Sequence, residues 1–183
     1  MKKRIHIFGA SGSGTTSIAK QLAEKLNYTH FDSDNYFWLP TDEPFTERRP
    51  REDCLNLMKT ALSTTANWVL SGSVTGWGDE LSSFFDLVVF VYVKPEVRLE
   101  RLKKREFERY GNEIFEGGSK HKASRDFLEW AGSYDTGTIV GRNLQKHRAW
   151  LAELDCPILE IENDKLDESV ETVLKAIGKT IQS

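Results

Sequence analysis

The chain has 183 residues and a formal net charge of −3, a length that suits one domain able to bury roughly 70% of its unfolded surface. The mild acidity argues against a general nucleic-acid binder. No apolar stretch is long enough to span a bilayer, and the run after Met1-Lys2-Lys3-Arg4 is too short for a signal peptide. Cys54 and Cys156 lie far apart with no metal-ligand spacing, so both read as reduced, packed thiols of a cytoplasmic protein.

The first predicted element is a buried strand over about 3–8, followed by Gly9-Ala10-Ser11-Gly12-Ser13-Gly14-Thr15-Thr16 and a helix over about 15–26. Ile18, Leu22 and Leu26 mark that helix's apolar face. The loop fits the phosphate-binding pattern G-x-x-x-x-G-K-[ST] at every fixed position but one, where Thr15 replaces the lysine. Backbone amides at a helix N-terminus cradle phosphates. Gly9, Ser11, Gly12, Ser13, Gly14, Thr15, Thr16 and Ser17 are therefore candidate phosphate-binding residues. Thr16 holds the position whose hydroxyl meets Mg²⁺. Ser17 can equally be a solvated residue of the first turn.

A second strand over about 28–32 ends in Asp32-Ser33-Asp34. Two carboxylates at the carboxyl end of a strand, beside a phosphate loop, suit a general base at Asp34 and a partner at Asp32 that holds Mg²⁺ through water. An Asp capping the next helical turn is the plainer alternative for one of them. Residues 35–50 carry Trp38, Arg48 and Arg49 and read as a cover over a cleft, followed by a helix over about 50–65. A third strand, about 66–71, leads into Ser71–Gly78, where Trp77 can stack on a substrate ring, wall a pocket or simply pack.

The fourth strand, about 86–93, is a continuous apolar run, as a strand covered on both faces should be. The helix over about 95–110 places Arg98, Arg101, Arg105 and Arg109 on one face. Arg101 and Arg105, with Arg142 further on, are candidates for neutralising a transferring phosphoryl group, while Arg98 and Arg109 read as structural. Residues 110–125, with Gly117-Gly118, read as a second, mobile cover. Helices over about 121–132, 138–154 and 166–181 and a fifth strand over about 157–161 complete the chain. Strands alternating with helices give an α/β fold with a parallel sheet and its site beyond the strands' carboxyl ends. The four histidines show no metal spacing, and His6 reads as a packed strand residue.

Gly9–Thr16, Asp32-Ser33-Asp34, Leu70-Ser71-Gly72 and Arg98-Leu99-Glu100-Arg101-Leu102-Lys103-Lys104-Arg105 occur in the order seen in adenylate-kinase-like P-loop kinases, a group that includes nucleoside monophosphate, shikimate and gluconate kinases and topology-modulation-like small kinases. The chain resembles that family over most of its length. The resemblance implies a three-layer P-loop fold with a five-stranded parallel sheet, order 2-3-1-4-5. It also implies an acceptor-binding insertion at about 35–65, a lid at about 110–135, ATP as donor and Mg²⁺ as cofactor. Arg49, Asp32 and Trp77 then become acceptor-side candidates, and the acceptor a small molecule or nucleotide. The chain departs from the family at Thr15, and from adenylate kinases at Ser71-Gly72-Ser73, where those carry Asp-Gly-Phe-Pro-Arg. Two other readings follow from single features. A nucleotide-binding sensor with little turnover follows from Thr15. A kinase acting on a nucleic-acid end or a nucleoside follows from Lys120–Arg125, against the net charge.

Overall fold

The computed structural model describes residues 3–162 and 165–179. Met1 and Lys2 of the basic start, and residues 180 and 181 of the expected last helix, lie outside the described residues. Five parallel strands, β1 (Arg4–Gly9), β2 (Thr29–Asp32), β3 (Trp68–Ser71), β4 (Leu87–Tyr92) and β5 (Ile158–Glu162), form one sheet in the order β2-β3-β1-β4-β5. This is the order that the family resemblance implies.

Alternation along the strands divides the core in two. Ile5, Ile7, Val69, Val89 and Val91 face α1 (Thr15–Leu26) and the last helix, Leu166–Lys179, where they pack on Ile18, Leu22, Val170, Val173 and Ile177. Phe8, Trp68, Leu70, Val88 and Phe90 face the opposite layer and pack on Leu55, Met58, Leu62 and Trp150. Both faces of the central strands are apolar because both are covered by helices. Every strand is parallel, so Gly9, Asp32, Ser71 and Tyr92 end at the same edge of the sheet.

Two helices lie between β2 and β3. A short α2 (Asp34–Phe37) begins immediately after β2, and α3 (Arg51–Thr64) follows the first cover. That cover folds as a hairpin: Leu39 N donates to Glu47 O at 2.9 Å, Arg49 N to Phe37 O at 2.9 Å, and Trp38 bridges Arg48. The arginine-bearing helix is α4 (Pro95–Tyr110), started by Pro95 at its first position. A 3₁₀ turn, Gly111–Ile114, and a tight loop lead into α5 (His121–Gly132).

One boundary differs from expectation. The helix expected over 138–154 is α6, Leu144–Ala152. Residues 136–141 are irregular, with Gly137 and Gly141 at φ values of 67° and 139°. The helix then starts where the Asn143 side chain accepts from Lys146 N at 2.8 Å.

Candidate functional site

The phosphate loop is shaped by glycines that no other residue could replace without strain. Gly12 and Gly14 have φ values of 82° and 83°, and Gly14 is the residue that opens α1. A Cβ at Gly9 would stand 2.3 Å from Val91 O and 2.7 Å from Ser13 Oγ, and one at Gly12 would stand 2.8 Å from Arg98 O. The loop thus lies directly on β4 and α4. Ser13 is buried and turned inward: its hydroxyl donates to Ala10 O at 2.7 Å and its N–H to the same oxygen at 3.1 Å. The hydroxyl of Ser13 therefore braces the loop. The first-turn amides of α1, at Thr15, Thr16 and Ser17, have no carbonyl one turn back within the helix to meet, the usual condition of a helix start. Ser17 and Lys20 are exposed.

Thr16 and the two carboxylates form one line. Thr16 Oγ1 donates to Asp32 Oδ2 at 3.1 Å, and Asp32 Oδ1 accepts from Asp34 N at 3.1 Å. Asp32 thus caps the turn of α2 and also meets Thr16 at the start of α1. Gly72, at φ 89°, lets this turn close down, since a Cβ there would lie 2.1 Å from Ser33 Oγ. Asp34 is exposed as a residue, yet its carboxyl feels Arg142, Asp32, Arg105 and Trp38 around it. Burial pushes its carboxyl above the usual carboxylate range, and Arg142, Arg105 and a hydrogen bond from the Trp38 indole pull against that rise.

The arginines separate into structural and cleft-facing groups. Arg98 is 1% exposed, donates from Nε to Val93 O at 2.9 Å, pairs with Asp135 and lies 4.9 Å from the Tyr134 ring centre. It is a core brace. Arg101 Nη1 lies 3.5 Å from Gly12 O on the phosphate loop. Arg105 acts on Asp34 electrostatically, with its own pKa lowered first by burial and then by Arg109. Arg142 Nη2 donates to Ser11 Oγ at 3.0 Å. Its pKa is also lowered, chiefly by burial, while Asp34 favours its charge; an arginine in such a place keeps its proton.

The two covers meet across the cleft. Lys120 Nζ lies 2.7 Å from Glu43 Oε1, and the Arg109 guanidinium lies 5.1 Å from the Phe45 ring centre. Gly118 is a packing point in the second cover, since a Cβ there would lie 2.3 Å from Glu113 O. Of the residues expected on the acceptor side, Arg49 Nε donates to Tyr36 O at 2.9 Å, and the Trp77 indole donates to Ser73 O at 3.0 Å. Trp77 also packs 5.6 Å from the Phe37 ring, and Arg48 lies over Phe37 and Trp38. Trp77 thus joins an aromatic wall, while Arg49 holds the backbone of α2.

A polar cluster that the sequence does not signal lies behind the loop. His147 Nε2 meets Ser73 Oγ at 3.1 Å, its Nδ1 meets Tyr134 OH at 2.8 Å, and its ring stands edge-on to Phe8 at 4.9 Å. Burial lowers its pKa to about 3, so it is neutral. Phe127 and Trp130, which lie against Arg105 and Arg142, are residues that sequence reasoning did not single out. Their ring contacts are tertiary, and only the helical spacing of Phe127 and Trp130 could have signalled a shared face.

Among the described residues no group of three or more His, Cys, Asp or Glu could hold a metal ion. A Mg²⁺ ion is commonly held by one or two protein oxygens with phosphates and water. Thr16 Oγ1 and Asp32 form an oxygen set of that kind beside a cradle already too tight for a Cβ. None of the described helices is long and apolar enough to cross a membrane.

A family model described as an AAA domain matches residues 5–122. An uncharacterised protein of Bacillus subtilis (strain 168), YqaC, is 48% identical over 175 residues, covering 95% of this chain and 97% of that protein. A cytidylate kinase of Archaeoglobus fulgidus is 32% identical over 114 residues, covering 56% of this chain and 62% of that protein. The structure of a shikimate kinase from Bacteroides thetaiotaomicron superposes with a TM-score of 0.60 at 21% identity, covering 97% of this chain and 99% of that one. That likeness shows the fold.

Proposed function

The chain belongs to the AAA-domain family of P-loop kinase-like proteins, and from that premise we propose that it binds ATP with Mg²⁺ and transfers the γ-phosphoryl group to a small-molecule or nucleotide acceptor. The observation that carries this reading is the line from Thr16 through Asp32 to Asp34, at 3.1 Å for each hydrogen bond, next to the phosphate loop. Thr16 and Asp32 would hold Mg²⁺, Asp32 through water. The ion would supply charge stabilisation at the phosphates. Asp34 is the base that takes a proton from the attacking group of the acceptor. Burial raises its pKa, which makes it a stronger base than an ordinary aspartate, while Arg142 and Arg105 favour its charged form.

Backbone amides from Ser11 to Thr16 hold the phosphates, with Gly9 and Gly14 setting the loop. Arg142, Arg101 and Arg105 supply the cationic charge that Thr15 does not. Losing one preorganised donor at a transition state costs about 3 kcal/mol, and the guanidinium on Ser11 offsets that loss. Residues 35–65, with Arg49 and Trp77, form the acceptor side, and residues 110–135 the lid. The reaction belongs in the cytoplasm, where ATP is plentiful.

The test is transfer of label from γ-labelled ATP to a panel of acceptors that includes cytidylate and shikimate, the acceptors in the relatives' names. A labelled product formed by the wild type and lost in Asp34→Asn supports the reading. One specific observation favours a second reading, a nucleotide-binding module with little turnover: Thr15 stands at the lysine position. ATP binding without transfer to any acceptor would favour it.

A further inference from the structure

Helix α5 presents two aromatic rings to the cleft arginines. The Arg105 guanidinium lies 5.7 Å from the Phe127 ring centre, and the Arg142 guanidinium lies 5.2 Å from that of Trp130. The rings are three residues apart on one helix face, 6.1 Å between centres and inclined by 33°. Arg105 comes from α4 and Arg142 from the segment before α6, so α5 is the element that the two share. The residue before the second arginine, Gly141, is also pressed onto the Trp130 ring. A Cβ at Gly141 would stand 2.7 Å from Trp130 Nε1, and its φ of 139° suits glycine alone.

We propose that Phe127 and Trp130 are positioning residues: an aromatic shelf on the lid helix that holds Arg105 and Arg142 for the phosphates of ATP. This rests on the phosphate-loop reading above. A guanidinium stacked by its face keeps its N–H fork free in the plane, which is the geometry that phosphate oxygens accept. A lysine in the loop would be tethered at its post. Arg142 lies 131 residues from Ser11 in sequence, and its side chain needs a surface that fixes its direction before the ligand arrives. Trp130 supplies that surface, and because it sits on α5 the charge is delivered by the lid rather than by the loop.

The test is a binding cycle read by calorimetry with Mg²⁺ and a non-hydrolysable ATP analogue. Trp130→Leu keeps an apolar residue and removes the ring face. It is expected to weaken binding about tenfold, and Trp130→Phe to restore most of that loss. Trp130→Leu added to Arg142→Ala is expected to cause no further loss, because the ring acts through the arginine. A purely structural role would add its loss in both backgrounds and would overturn the proposal. So would unchanged binding by Trp130→Leu. Should Trp130→Leu fail to fold by circular dichroism, Phe127→Leu with and without Arg105→Ala gives the same cycle, and additive losses there overturn the shelf. A wild type that binds no analogue overturns the phosphate-loop reading together with the shelf. A wild type that binds, with an unaffected Trp130→Leu, overturns the shelf alone.

Discussion

Arg142 Nη2 and Ser11 Oγ are 3.0 Å apart, so a guanidinium rests on the very loop that carries Thr15 in place of lysine. The loop's amides offer partial charges, whereas a transferring phosphoryl group needs a full positive charge nearby. Arg142 carries that charge at the loop, and Arg101 carries another 3.5 Å from Gly12 O.

Thr15→Lys should change nucleotide affinity without unfolding the protein. With Arg142 already in the role, turnover should stay level or fall. A rise from nothing to a kinase-like rate would mean that the natural protein only binds. In the same assay Arg142→Ala should lower turnover by about 10²–10³, while Lys20→Ala, exposed on α1, should change little.

Asp34 should titrate above the ordinary aspartate value of about 3.9. Burial raises it, and Arg142 and Arg105 restrain the rise. Arg142→Ala removes a restraint, so the midpoint should move further up. Carbon-13 spectra of the side-chain carboxyl across pH 3–8 would follow this in the free protein. A midpoint that drops in Arg142→Ala would contradict the assignment of the two groups to one cleft.

The α/β fold was legible because its signals are local. The strand-loop-helix around Gly9–Thr16 announces itself, and the run Asp86–Val93 needs no partner to read as a buried strand. Asp32 was legible too, as a carboxylate at a strand end. The partners of the arginines were not. Nothing in the sequence ties Arg142 to Trp130, or His147 to Ser73, since those pairs form only when α5 and α6 fold over the sheet. The late start of α6 was missed although Gly137, Gly141 and the capping Asn143 carried the signal. The continuing apolar spacing beyond them outweighed it.

Acid should destabilise the protein well above the carboxylate range. His6 and His147 are fully buried, and burial lowers each pKa to about 3. In the unfolded chain both take protons near pH 6.5. Between those values the unfolded state binds more protons, so stability is fully present above about pH 6.5 and falls as pH drops. The loss is about 1.4 kcal/mol per pH unit for each histidine. Urea denaturation at pH 7 and pH 5 should differ by about 3–4 kcal/mol, and His6→Phe, which keeps the stack with Phe8 and Phe85, should remove about half of that. An unchanged pH dependence in His6→Phe would contradict the buried neutral state.

The central claim is that the Gly9–Thr16 loop holds the phosphates of ATP, and the melting temperature of the wild type with and without ATP·Mg²⁺ tests it most directly. A ligand at about 100 times its Kd stabilises the folded state by about 2.7 kcal/mol, which for a chain of this size is a rise of roughly 5–10 °C. The account predicts such a rise at millimolar ATP·Mg²⁺, reduced when EDTA removes the metal. An unchanged melting temperature at that concentration would contradict it.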